Sequence, residues 1–177
     1  MKNIGFKRSK RAEGGQAMTE FALVMPLFLI MCLFVIDFGW IAYQKAAFDY
    51  SYMHASWEVV STDLSKHGSY EDKGSVSVPG AQKAVADAMS SNAFIGYDPA
   101  NLSVSSASAT LYNEVSTFSV PDRQGNPSDA DSVTRHLALK AELNYQVKPI
   151  VGLVFGPLTV TKSLDIDRVV GVEHRTK

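Results

Sequence analysis

A chain of 177 residues has room for one ordinary domain. Charged residues at 20% and hydrophobic residues at 46% exclude wholesale disorder. A net charge of −1 gives no overall attraction to nucleic acid, and the single cysteine, Cys32, excludes an intramolecular disulfide and a thiolate zinc cluster.

The average conceals an asymmetry. Residues 1–15 carry five bases (Lys2, Lys7, Arg8, Lys10, Arg11) and one acid, Glu13, for a net charge of +4. The remaining 162 residues carry 12 bases and 17 acids, a net of −5. The basic head runs at once into FALVMPLFLIMCLFVI (residues 21–36), which resumes after Asp37 as FGWIAY (38–43). Such a pairing is an export or membrane-insertion signal. Residues 21–43 are enough for an α-helix to cross a hydrocarbon core of about 30 Å. The basic cluster is expected to stay in the cytoplasm and the rest of the chain to lie outside the inner membrane. Trp40 and Tyr43 then sit near the outer interface, which amphipathic rings favour.

Residues 44–60 lack Pro and Gly and continue the same helix. Phe48, Tyr52, Ala55 and Val59 recur at intervals of four, three and four, which puts them on one face. Residues 65–80 are rich in Gly, Ser and charge and read as a loop. Ala81, Ala84, Val85, Ala88 and Met89 then predict a short amphipathic helix. Residues 137–147 alternate Leu137, Leu139, Ala141, Leu143, Tyr145 and Val147 with polar or small partners, the period of a strand with one buried face. Leu158, Val160, Leu164 and Ile166 mark a second strand, and residues 102–112 and 115–120 give two weaker ones. Residues 121–131, PDRQGNPSDAD, read as a loop. There is no internal repeat. The predicted fold is α+β: a long transmembrane-plus-amphipathic helix packed on a small antiparallel sheet. The expected division is a basic leader (1–15), the long helix (16–60) and an extracytoplasmic domain (61–177).

The informative stretch is Gly14-Gly15-Gln16-Ala17-Met18-Thr19-Glu20-Phe21. A carboxylate at the head of a span is costly if drawn into lipid, by about 2.5–3.5 kcal/mol at mid-bilayer. Glu20 has two readings. It marks the water boundary or caps the helix start, or it has a partner. Cleavage after Gly15 would make Gln16 the new terminus and Glu20 the fifth residue. A neighbouring subunit's Glu20 would then pair with the new α-amine across a helix bundle, relieving a buried unpaired charge.

At these residues the chain resembles a type IV prepilin: a basic leader, Gly at the cut, Glu five residues on, the aromatic Phe21, then the span. Gly, four residues and Glu-Phe, with Ala22-Leu23 and Pro26 following, is more specifically similar to TadE-like pseudopilins of tight-adherence (Flp-type) pili. Residues 143–170 loosely resemble that family's closing strand, apolar turn and final strand, and Asp37-Phe38-Gly39 falls where members often have an acid near a Gly. The resemblance covers residues 11–60 well; residues 61–131 show no recognised pattern. It implies that a membrane aspartyl prepilin peptidase recognises Gly15, that Gln16 is the mature terminus, and that Glu20 is the assembly residue. It implies a pilin-like fold, a pseudopilin and a substrate rather than an enzyme, with the other pilus subunits, the assembly platform and membrane lipid as partners. Mature Flp pilins are much shorter than 162 residues, so the length points to a minor subunit.

The other features are secondary. Pro26 removes a backbone donor within the span, which is read either as a tolerated kink or as a point of local melting. Asp37 is expected to mark the outer water boundary in preference to a buried pairing role. Residues 149–157, PIVGLVFGP, form an apolar connection in which Ile150, Val151, Leu153, Val154 and Phe155 either meet a partner or membrane or fold under the sheet edge. His54, His67, His136 and His174 show no ligand spacing, and Asp122, Asn126, Asp129 and Asp131 lack the EF-hand pattern, so neither a metal nor a cofactor is expected. There is no nucleophile elbow, HExxH or phosphate loop. A permanently bitopic protein with an outer sensing domain is the main alternative. A type II secretion pseudopilin fits the leader but not the tail, and a secreted enzyme lacks an Ala-x-Ala cleavage site.

Overall fold

The computed structural model describes residues 10–61, 63–121, 124, 127–152 and 155–176. Lys2, Lys7 and Arg8 of the leader, Asp122 and Asn126, and Leu153 and Val154 of the apolar connection lie outside the described residues.

The helix α1 runs from Lys10 to Glu58, 49 residues without interruption and therefore about 74 Å long. It continues through Pro26. Its two halves differ in what covers them. Residues 15–31 are exposed throughout, including Leu23 at 78% and Leu27 at 69%. From residue 44 onward one face is buried, with Ala47, Phe48, Ala55 and Val59 in the core and Tyr52 packed against it. This is the amphipathic face expected from the spacing.

Four strands form one antiparallel sheet in the order β1-β2-β3-β4, a meander. They span Ser75–Val78 (β1), Leu102–Pro121 (β2), Pro127–Val147 (β3) and Leu158–Thr176 (β4). The short helix α2, Ala81–Ser91, lies against β2 and buries Ala81, Val85, Ala88 and Met89. The alternating side chains Leu137, Leu139, Ala141, Leu143, Tyr145 and Val147 all point into the core. At its centre Phe48 stacks on Tyr145, ring centroids 4.9 Å apart, and Tyr97 lies 5.1 Å from Tyr145. Burying such rings supplies much of the apolar stabilisation of a small core.

The α+β architecture with a long apolar helix is the predicted one, but three boundaries differ. The two weak strands at 102–112 and 115–120 are one strand, because Asn113 and Glu114 stay in register with Arg135 and Thr134. The loop expected at 121–131 is shorter: Asp129 and Asp131 belong to β3, opposite Ser119 and Thr117, and the Thr117 hydroxyl donates to Asp131 at 2.7 Å. A cross-strand bond of this kind favours pairing even in a polar stretch. Finally, Ser75–Val78 pairs with β2 inside a segment that composition marks as loop.

Candidate processing and assembly site

Gly15, Gln16, Glu20 and Phe21 all lie on the exposed first part of α1. A Cβ built on Gly15 meets nothing within 4 Å. The Gln16 amide donates to Glu20 Oε1 at 3.1 Å, one helical turn on. The Thr19 hydroxyl donates to the Gln16 carbonyl at 2.8 Å. Among the described residues, the hydrogen bonds of Gln16 and Glu20 stay within α1, so no other element covers this surface. Phe21 is 63% exposed, and Met18, Leu23 and Val24 around it are also exposed. The arrangement is a polar head on an uncovered apolar rod. The Gly15–Gln16 bond is helical and follows tandem glycines, each of which costs a helix about 1 kcal/mol relative to alanine.

Among the described residues, α1 contains one segment long and apolar enough to cross a membrane, and little of it is buried within the protein. Residues 15–52 match the family model for TadE-like protein. The matched TadE-like segment begins at Gly15, includes Gln16, Glu20 and Phe21, and ends within the amphipathic half of α1. It is the stretch on which the resemblance rests, and it points to a role connected with tight-adherence pili in association with pilus components. No curated protein and no solved structure matches the chain.

Asp37 requires a correction. It does not mark a water boundary: its side chain is fully buried and accepts the Val151 N–H at 2.8 Å and the Gly152 N–H at 3.1 Å. The apolar connection folds back along α1, and Phe155 lies against Phe34 with ring centroids 5.2 Å apart. Ile150 and Val151 remain 59% and 41% exposed. Tyr43, also partly exposed, lies tilted beside Trp40 and against Gly96, whose lack of a Cβ leaves room for the ring.

Asp37 is the first of a series that sequence reading missed. Gln44, Ser51 and Glu58 follow at intervals of seven, two helical turns, on the same side of α1. Gln44 accepts the Lys148 N–H at 3.2 Å and donates to the Lys148 carbonyl at 2.6 Å. Ser51 accepts the Phe94 N–H at 3.2 Å. Glu58 accepts bonds from Ser91 and Asn92 at the end of α2. Asp37, Gln44 and Ser51 satisfy backbone groups in the connections between elements, and Glu58 holds the C-terminal end of α2. The other flank of the helix is tied to β4 by the Asp49–Lys162 ion pair at 2.6 Å, the Tyr52 hydroxyl to the Ser163 carbonyl at 3.1 Å, and Arg168 over Trp57 at 3.5 Å. The heptad recurrence of polar residues from Asp37 to Glu58 is a signal that would have pointed to the seam.

Among the described residues, no group of three or more His, Cys, Asp or Glu is placed to hold a metal. His136 lies between Glu114 and Asp167, 3.5 and 3.3 Å away, and stacks on Tyr112. This cluster sits on the polar face of the sheet and joins three strands.

Proposed function

We propose that the chain is a minor TadE-like pseudopilin that acts in assembly of a tight-adherence pilus, for adhesion or surface attachment. A prepilin peptidase cuts after Gly15, Gln16 becomes the mature terminus, and the protein is held in the cytoplasmic membrane by α1 with its sheet domain outside. It is a substrate and structural subunit, not an enzyme. Its partners are the prepilin peptidase, other pilus subunits, the assembly platform and membrane lipid.

The observation that carries this reading is the family match beginning at Gly15 on a helix whose head is uncovered. After cleavage, the Gln16 α-amine lies one turn from Glu20 of its own chain. In a bundle it can equally approach Glu20 of the next subunit, which favours staggered packing of identical helices. The deciding experiment is the intact mass and N-terminal sequence of the protein from its native membrane, with and without the peptidase. A chain beginning at Gln16 only when the peptidase is present supports the reading. A chain retaining its leader in both cases removes it.

A further inference from the structure

The connection between β3 and β4 is apolar, yet the side chains at its start are turned away from the protein. Ile150 is 59% exposed and Val151 41%, and Leu158, which opens β4, is 46% exposed. The connection meets α1 at Asp37, through the Val151 and Gly152 amides, and at Phe34, through Phe155, inside the apolar segment rather than beyond it. From Phe21, where the apolar run begins, to Phe34 the helix rises about 20 Å, short of the roughly 30 Å of a hydrocarbon core. The connection therefore lies roughly 5 to 13 Å below the level of Trp40 and Tyr43, measured along the helix. Lys148, just before it, sits on the far side, with its ammonium on Asn101 Oδ1 at 2.6 Å. Irregular backbone at membrane depth is tolerated only where protein covers it or water reaches it, so the polar groups of a turn that enters the leaflet edge need partners within the protein. Asp37 is that partner for the Val151 and Gly152 N–H groups.

We propose that this connection is a second membrane element: the tip of the β3–β4 hairpin enters the outer leaflet beside α1 and seats the sheet on the bilayer. The lipid-facing surface is Ile150, Val151 and Leu158, continuous with the uncovered apolar surface of α1, and Asp37 is the residue that lets the turn enter. The occupant is lipid acyl chain just beneath the headgroups, the depth at which interfacial elements bury their apolar faces. The proposal rests on the reading of α1 as a bilayer span.

The test uses the full-length chain with Cys32→Ser and one environment-sensitive fluorophore on a cysteine at Leu27, Ile150 or Ser119. Each protein is placed in phosphatidylcholine vesicles carrying a nitroxide either near the headgroup or deep in the acyl chain. The Ile150 probe is expected to be blue-shifted and quenched at least about threefold more by the shallow nitroxide than the Ser119 probe at the far end of the sheet. The Leu27 probe is expected to answer to the deep nitroxide. If Ile150 behaves like Ser119 while Leu27 is quenched, the hairpin lies in water and the proposal falls while the span stands. If Leu27 is not quenched, the span reading falls and takes the proposal with it. A blue shift at Ile150 without quenching means a protein surface, such as a second copy, covers the turn, and this also overturns it. A probe at Leu158 repeats the measurement should labelling at Ile150 disturb the fold.

Discussion

Replacing Asp37 by alanine removes the acceptor of two backbone donors at once. Val151 N–H and Gly152 N–H each lose a bond to a carboxylate oxygen, at 2.8 and 3.1 Å. Bonds to a charged group contribute about 1.5–3 kcal/mol each when the donor has no alternative. Once the carboxylate is gone the turn can rearrange and find other acceptors for part of what is lost. The expected cost is therefore about 2–4 kcal/mol rather than the full sum. Asp37→Asn keeps one acceptor oxygen and should fall between the two proteins. The assay is urea unfolding of the purified chain in a mild detergent, with amide exchange measured on peptides covering residues 145–160. Exchange in residues 150–152 should accelerate by about two powers of ten if opening becomes easier by near 3 kcal/mol. Equal midpoints and unchanged exchange for Asp37→Ala would refute the reasoning and return Asp37 to a boundary role.

Other expectations follow from the same contacts. Phe48→Ala removes a fully buried ring stacked on Tyr145 and should lower unfolding stability by about 3–5 kcal/mol, read from the urea midpoint. Gly96→Ala forces a side chain onto a φ of +95° and into the Tyr43 ring; a loss of about 1–2 kcal/mol from the backbone alone is expected, and Tyr43→Ala should restore only the part due to the ring. Burial raises the Tyr97 hydroxyl well above its ordinary value of 10.0, helped by Tyr145 and Asp98, and burial raises Tyr145 as well. The folded state therefore favours the neutral phenols: this stability is fully present below pH 10 and is lost as the pH climbs past that value, which alkaline unfolding followed by circular dichroism will show. Tyr97→Phe should blunt that alkaline loss without harming stability at neutral pH, because the Tyr97 hydroxyl is buried with no hydrogen-bond partner among the described residues. Glu20→Ala should leave cleavage after Gly15 intact and reduce pilus assembly, whereas Gly15→Asp should block cleavage; normal assembly by Glu20→Ala would remove the role proposed for that carboxylate.

Strong periodicity made the centre of the fold legible. Residues 137–147 alternate over eleven positions, and the core residues of α1 and α2 recur at helical spacing, so composition and geometry agree. What stayed hidden was held by partners distant in sequence. Ser75–Val78 is a strand only because Thr110 and Leu111 offer it an edge. The Ser- and Thr-rich β2 shows weak alternation because its paired neighbour, β3, supplies the register. Asp37 was misread for a related reason. A carboxylate near the end of an apolar run normally meets water. Here its donors come from a turn more than a hundred residues away, and no local pattern announces them. The head of α1 is the opposite case: among the described residues, the hydrogen bonds of Gln16 and Glu20 stay within their own helix and Gly15 and Phe21 are exposed, so spacing along the chain was all the information there was.

The seam of Asp37, Gln44, Ser51 and Glu58 also bears on how such a subunit can move. If assembly draws α1 out of lipid and into a bundle, the sheet must follow the helix as a rigid load. A purely apolar interface between helix and sheet would tolerate sliding by one turn, since similar side chains recur every three or four residues. Four polar residues, two bonded to the β3–β4 connection and two to the end of α2 and the chain just after it, forbid that: a shift of one turn would leave Asp37 and the Lys148, Val151 and Phe94 amides unpaired together. The register of sheet on helix is thereby fixed, and force applied at the Glu20 end reaches the sheet without slack. Exchanging Gln44 and Ser51 together for alanine tests this. The double variant is expected to lose more than about 2 kcal/mol of stability and to broaden its urea transition as alternative registers become populated. A sharp transition with unchanged steepness would mean that apolar packing alone sets the register.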